Sequence, residues 1–315
     1  MAIVDAGNLF FKKDQLSPGV TTEIASVTAD IILAAFNEIG CDAFSPGSQD
    51  FALGLDFLLK MEKNANFPFV SANIKSATTG IHLFRPYQVV SKGGVSLGFI
   101  GLASQFTHPD LLIDDPIQAL KGIIEEVANQ VDLVVLLFNS EEKDILELQR
   151  SELPIDMVYR SKSRKPSKDG GSKTIPVYSA GEKGKYLYDV IIAVNDKSLS
   201  FVDVTAQENA LKNATQRLVR MQKNHPEGTD LKVLFKDDPQ TLARVTNYER
   251  QVDEANYALA NAINSFTLTR HELNKTIVDK PEILKIIDAG KLKIAEFSAP
   301  QPAVPFTDPH AGHNH

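Results

Sequence analysis

The residues best placed to do chemistry in this sequence are cations crowded into one segment. Between residues 160 and 173 stand Arg160, Lys162, Arg164, Lys165, Lys168 and Lys173 against the single anion Asp169, a local charge of +5 in a chain of net charge −7. Ammonium and guanidinium groups at this density hold phosphates or carboxylates through charge-assisted hydrogen bonds and steer anionic partners. Arg160, Lys162, Arg164, Lys165 and Lys168 are therefore candidate anion-binding residues. Serine and glycine separate the charges, so the segment suits an ordinary solvated loop as well. No aromatic residue is interleaved with them, and the chain as a whole is acidic, which argues against nucleic acid as a partner.

The other reactive residues are scattered. His310, His313 and His315 form an H-x-x-H-x-H tail that could chelate a borderline divalent ion, loosely, because the sequence around it is Pro-rich. His82, His108, His225 and His271 stand singly. Ser104 follows an apolar run with Asp110 and Asp114 nearby, but no histidine or lysine base has a motif-defined place beside it, so a hydrolase triad is not supported. Cys41 is the one cysteine, which excludes an internal disulfide and any cysteine-based zinc site.

The elements that must position these groups alternate between short β-rich apolar runs and helical patterns from residue 1 to about 205. Strands are expected at 2–4, 67–72, 87–90, 95–102, 133–138, 155–159, 175–179, 187–194 and 199–204, and helices at 22–39, 50–62, 116–130 and 141–149. Gly93-Gly94 marks a hairpin and Asn195-Asp196 a second turn. Beyond Val204 the composition turns helical. Leu211, Ala214, Leu218 and Met221 share one face, and Val245, Tyr248, Val252, Ala255, Leu259, Ala262 and Phe266 follow a 3/4 spacing, with a break at Pro226 to Gly228. Three parts are expected: an α/β domain over 1–205, a helical hairpin or coiled-coil extension over 206–297, and a mobile tail over 298–315. The hairpin either packs on the first domain or, through 206–266, self-associates or docks to a partner protein.

With 43% hydrophobic and 23% charged residues the composition is that of a globular protein. No apolar run approaches the roughly 18 residues of a membrane span. As written, without a signal-peptide core behind Met1, the chain is expected in the cytoplasm; a native start upstream with such a peptide would imply the periplasm or the exterior.

Several segments, in order, resemble the calcineurin-like metallophosphoesterase fold in its 5'-nucleotidase branch. VDAGNLF (4–10) resembles the family's "DAGD.F", NEIGCDAFSPGSQDFAL (37–53) its "lgyDa.t.GNHEFd.G", and FPFVSANI (67–74) its "fp.laaNi". PYQVVSKGGVSLGFIGL (86–102) resembles "py.i.e..G.kigviGl", VDLVVLLFN (131–139) "aDliIvLsH", PIDMVYRSKSR (154–164) "giDlIigGHsH", and TIPVYSAGEKGKYL (174–187) "tpvvqaG..gkyl". The resemblance implies a sandwich of mixed β-sheets flanked by helices. The helical part from about residue 206, including 266–289, looks like the extension some bacterial members carry after the phosphoesterase domain.

The resemblance also implies a two-metal phosphoesterase centre, built on Asp, Asn and His at strand ends. This chain departs from that pattern at nearly every ligand. The family's opening Asp-x-His strand has no counterpart. Its bridging aspartate corresponds to Asn8, its ligand asparagine to Ser48, its catalytic histidine to Gln49, its "sH" histidine to Asn139, and its last two histidines to Lys162 and Arg164. A protonated Lys or Arg has no lone pair to offer. It also repels a divalent ion by several kcal/mol at about 4 Å and an effective dielectric of about 20. The expectation is a catalytically inactive, 5'-nucleotidase-like binding or structural module that needs no cofactor. The alternative is an active phosphoesterase of nucleotides or related esters. Lys162 and Arg164 are then a drifted surface loop, an anion site or a partner contact.

Overall fold

The computed structural model describes residues 1–167 and 175–298. Lys168, Lys173 and the tail histidines lie outside the described residues.

The first element, β1 (Val4–Asp5), pairs in parallel with β2 (Ala43–Phe44) across helix α1 (Thr22–Ile39). Helix α1 has the expected bounds because both ends are signalled locally. The Thr21 hydroxyl accepts from Ile24 N–H at 3.3 Å, and Gly40 ends the helix at φ +84°. Between these caps Ala25, Ala29 and Leu33 recur every fourth residue on the buried face. A 3₁₀ turn (Ser48–Phe51) and α2 (Leu55–Asn64) replace the single helix expected over 50–62, parting at Gly54, φ +86°.

The main sheet has five strands, in the order 87–92, 95–103, 133–139, 157–161 and 177–178. After β3 (Ile74–Ser76) come β4 (Tyr87–Lys92) and β5 (Val95–Ala103), a hairpin turning on Gly93 and Gly94, both at positive φ. β6 (Leu111–Ile113) pairs with β3. The single helix expected over 116–130 is two, α3 (Pro116–Lys121) and α4 (Ile124–Ala128), interrupted at Gly122. Strands β7 (Leu133–Asn139) and β8 (Met157–Ser161) run parallel to β5, with α5 (Glu142–Leu148) between them. All of β7 is buried because both sheet faces are covered. On one side Val134, Leu136 and Phe138 meet α3 to α5; on the other Leu133, Val135 and Leu137 meet a further sheet near the C-terminal end of the chain. The run 67–72 is not a strand: only isolated bridges join Phe69 to Phe44 and Val70 to Arg85. Phe69 anchors the aromatic core there, edge-on to Phe44 at 4.8 Å.

Past β9 (Val177–Tyr178), a three-stranded sheet is formed by β10 (Tyr186–Ala193), β11 (Phe201–Asp203) and, beyond α6 (Thr205–Gln222), α7 (Leu231–Leu234) and α8 (Pro239–Asn261), β12 (Asn264–Glu272), in the order β10-β12-β11. Phe266 therefore sits on a strand, and the helical spacing read through it ends at Asn261. The reason is a change of period: Phe266 and Leu268 alternate with Ser265 and Thr267, and the two apolar residues enter the core. Helices α6 and α8 pack against each other, and Arg217 lies over the Tyr248 ring at 5.4 Å. Val245 and Ala255 are buried within this one chain, while Tyr248, Val252 and Leu259 of the same face are half-buried. Last, α9 (Pro281–Ser298) lies on α1, where Gly290 comes so near Ile31 that a Cβ would fall 2.1 Å from its Cδ1. Among the described residues no helix is long and apolar enough to cross a membrane.

Candidate functional site

The carboxyl ends of β1, β2, β7 and β8 bring together most of the positions singled out above. Behind β1 the chain turns at Gly7 (φ +109°), where a side chain would meet Ser45 C=O at 2.6 Å, and at Asn8 (φ +60°). Behind β2 it enters the 3₁₀ turn. Asp50 ties the two segments: its buried carboxylate accepts from the N–H groups of Asn8 (2.8 Å), Phe10 (2.9 Å) and Gly47 (2.8 Å). Burial pushes the Asp50 carboxyl up to about 7, against the opposing pull of those donors, and burial likewise raises Asp5 to about 6.

Gly47 is the centre of the cluster. A Cβ there would fall 2.4 Å from Asn8 Oδ1 and 2.5 Å from Asn139 Cγ, so both amides occupy the space a side chain would need. Asn8 Oδ1 accepts from Gln49 N–H at 3.2 Å, and Asn139 Oδ1 is 3.5 Å from Ser48 N. Asn139 Nδ2 donates to Ser161 Oγ at 2.8 Å, and that hydroxyl donates to Ala6 C=O at 2.6 Å, joining β8 to β1. The Gln49 side-chain amide donates to the carbonyls of Phe11 (3.0 Å) and Lys12 (3.2 Å). Ser48 Oγ donates to Asp14 at 3.0 Å.

The cationic positions are arranged differently. Lys162, again at positive φ (+60°), meets Glu141 at 2.5 Å. The hydrogen bond from that ammonium, with its charge, holds the Glu141 carboxyl below its ordinary value. Arg160 pairs with Glu142 at 2.5 Å and donates to Ser140 C=O. Two of the proposed anion-binding residues are thus already met by acids at the start of α5. Arg164 and Lys165 are exposed and make no ion pair among the described residues. Ser104 is structural: its hydroxyl donates to Asp144 and accepts from Glu141 N–H, holding the start of α5.

Sequence reading missed Asp50, Ser161 and the two glutamates. An acid inside the otherwise buried run at 43–51 was the available signal for Asp50. The pairing of Glu141 and Glu142 with residues on the next strand left no local trace.

The family's metal pair does not fit this donor set. Both amides are engaged with backbone and serine groups, the Lys162 ammonium stands where the resemblance implies a ligand, and among the described residues no three His, Cys, Asp or Glu side chains converge.

No family model matches the chain. Over 109 residues it is 36% identical to the 5'-nucleotidase of Vibrio cholerae, covering 31% of this chain and 20% of that protein. It is 28% identical over 193 residues to the 5'-nucleotidase of Mus musculus, covering 51% of this chain and 33% of that one. The match therefore spans a third or less of either relative's length. The solved calcineurin-like phosphoesterase YfkN from Bacillus subtilis matches at a TM-score of 0.60 and 14% identity, over 94% of this chain and 84% of its own. The chain thus has the calcineurin-like phosphoesterase fold, and over part of its length it is similar in sequence to the fold's 5'-nucleotidase branch.

Proposed function

We propose that this chain is a catalytically inactive 5'-nucleotidase-like protein, a binding or structural module whose ancestral strand-end site has become part of its folding core. The observation that carries the reading is the closure of Asn8 and Asn139 on Gly47. Side chains at positions that resemble metal ligands are engaged with the loops that carry them. Whatever binding remains belongs to the cationic rim after β8, where Arg164 and Lys165 face solvent and Lys162 is held by Glu141. An incoming phosphate or carboxylate would exchange for Glu141 at that ammonium, and would bind less well as salt screens the contact over about 10 Å at 0.1 M.

The test is phosphate release from AMP with Mn, Zn or Mg ions, alongside sulfate titration at low and high salt. The expected outcome is no release above the protein-free control, with sulfate binding that weakens in salt and in Lys162→Glu/Arg164→Glu. Hydrolysis that is lost on chelation and in Asn8→Ala would establish the phosphoesterase instead. Equal sulfate binding by the wild type and the double variant would remove the rim from the account.

A further inference from the structure

The three-stranded sheet β10-β12-β11 carries an edge that the chain leaves open. Strand β12 is nine residues long, but β11 pairs with only Asn264, Ser265 and Phe266. The even-numbered residues of β12 turn their backbone groups away from β10: Phe266 C=O accepts from Val204 N–H at 3.1 Å, and Leu268 N–H donates to Thr205 Oγ1 at 2.9 Å. Strand geometry repeats every two residues, so Leu268 C=O, both backbone groups of Arg270, and Glu272 N–H point the same way. Among the described residues none of these four groups has a hydrogen-bond partner. At about 3.3 Å per residue the open stretch offers roughly 16 Å of edge.

Beside that edge runs a groove of about 580 Å³, with β12 from Thr267 to Arg270 on one side and Glu208, Leu211 and Lys212 of α6 and Leu259 of α8 on the other. Its walls offer three leucines, Leu211, Leu259 and Leu268, and two cations, Lys212 and Arg270, against the one anion Glu208. The Arg270 guanidinium is steadied 4.9 Å over the Tyr186 ring.

We infer that this edge takes up an extended acidic peptide from another protein as a further strand of the sheet. Backbone groups of β12 supply the affinity, Leu211 and Leu259 receive one apolar side chain, and Lys212 and Arg270 select carboxylates at its neighbours. The chain's own residues 299–315 are a poor occupant by composition. Prolines 300, 302, 305 and 309 interrupt any run that could pair, and the remainder is rich in histidine rather than acids.

The experiment is fluorescence anisotropy of the full chain with a fluorescein-labelled peptide alternating valine and glutamate, joined to amide hydrogen exchange. The peptide should bind saturably, with a Kd on the order of 10–100 µM, and should slow exchange at Arg270 and Glu272, which exchange rapidly in the free chain. Arg270→Pro removes an N–H that β10 does not use and should weaken binding about tenfold. Lys212→Glu, on the surface of α6, should weaken it as well, and a valine–lysine peptide should not bind. Equal binding by Arg270→Pro, or no binding up to about 1 mM peptide, would overturn the inference. So would protection of those two amides in the free chain, and light scattering would then tell a second copy from the chain's own residues.

Discussion

At the ends of β1, β2 and β7, Asn8, Ser48 and Asn139 are wholly or partly buried, the two amides facing backbone N–H groups of the loop after β2 and the Ser48 hydroxyl donating to Asp14, whereas after β8 Arg164 and Lys165 extend into water and Lys162 is held by one glutamate. Both groups stand where the family resemblance implies ligands or their neighbours. In the first, an amide stands where the resemblance implies a charged or imidazole ligand; it can donate and accept, so the loops close on it. In the second, a cation cannot be absorbed into the interior, so it stays at the surface, where sequence can change without cost to the fold. The comparison separates residues that hold the molecule together from residues still free to bind.

The sharpest way to break that contrast is to crowd its centre. Gly47→Ala places a methyl group against both amides and should cost roughly 3 kcal/mol, read as a lower urea midpoint. Full stability in that variant would mean that the cluster opens easily. Asn139→Ala strips a buried amide from Ser161 and the 3₁₀ turn and should cost about 1–3 kcal/mol by the same measurement.

Asp50 sharpens the comparison through pH. Its folded value, about 7, lies above that of an unfolded aspartate near 4, so between these limits the folded state binds more protons. Its contribution to stability is present at low pH and fades as pH rises through 7. The wild type should therefore gain about 2 kcal/mol on going from pH 7.5 to 5.5 relative to Asp50→Asn, which lacks the titrating group. Parallel pH profiles for the two proteins would show that Asp50 titrates normally.

At the rim the expected effect is smallest. Lys162→Asn gives up a partly exposed ion pair worth at most about 1 kcal/mol and gains a residue better suited to positive φ. Thermal unfolding should change little, and a loss as large as that of Asn139→Ala would place Lys162 in the structural group.

Much of this was legible from the order of residues. Helix α1 announced itself through Thr21, Gly40 and a four-residue apolar repeat, and the β4–β5 hairpin through Gly93-Gly94, because each signal is local. The gathering of Asn8, Ser48, Gln49 and Asn139 followed from the family resemblance alone, since their partners lie up to 91 residues apart. Strand β12 was misread because Phe266 stands seven residues after Leu259, which continues a helical face as well as it starts a strand. Its partners β10 and β11 lie far earlier in the chain, and pairing with them decides the matter. The ion pair of Lys162 with Glu141 depends on how α5 sits over β8, a tertiary fact with no sequence spacing of its own.

The central claim is that the strand-end cluster is closed to a metal pair. The direct measurement is the metal content of the purified chain after equilibration with excess Mn or Zn ions and removal of unbound metal, compared with Asn8→Ala and Asn139→Ala. The account predicts well under one equivalent per chain, unchanged by either substitution. Two equivalents, lost when Asn8 or Asn139 is replaced, would contradict it.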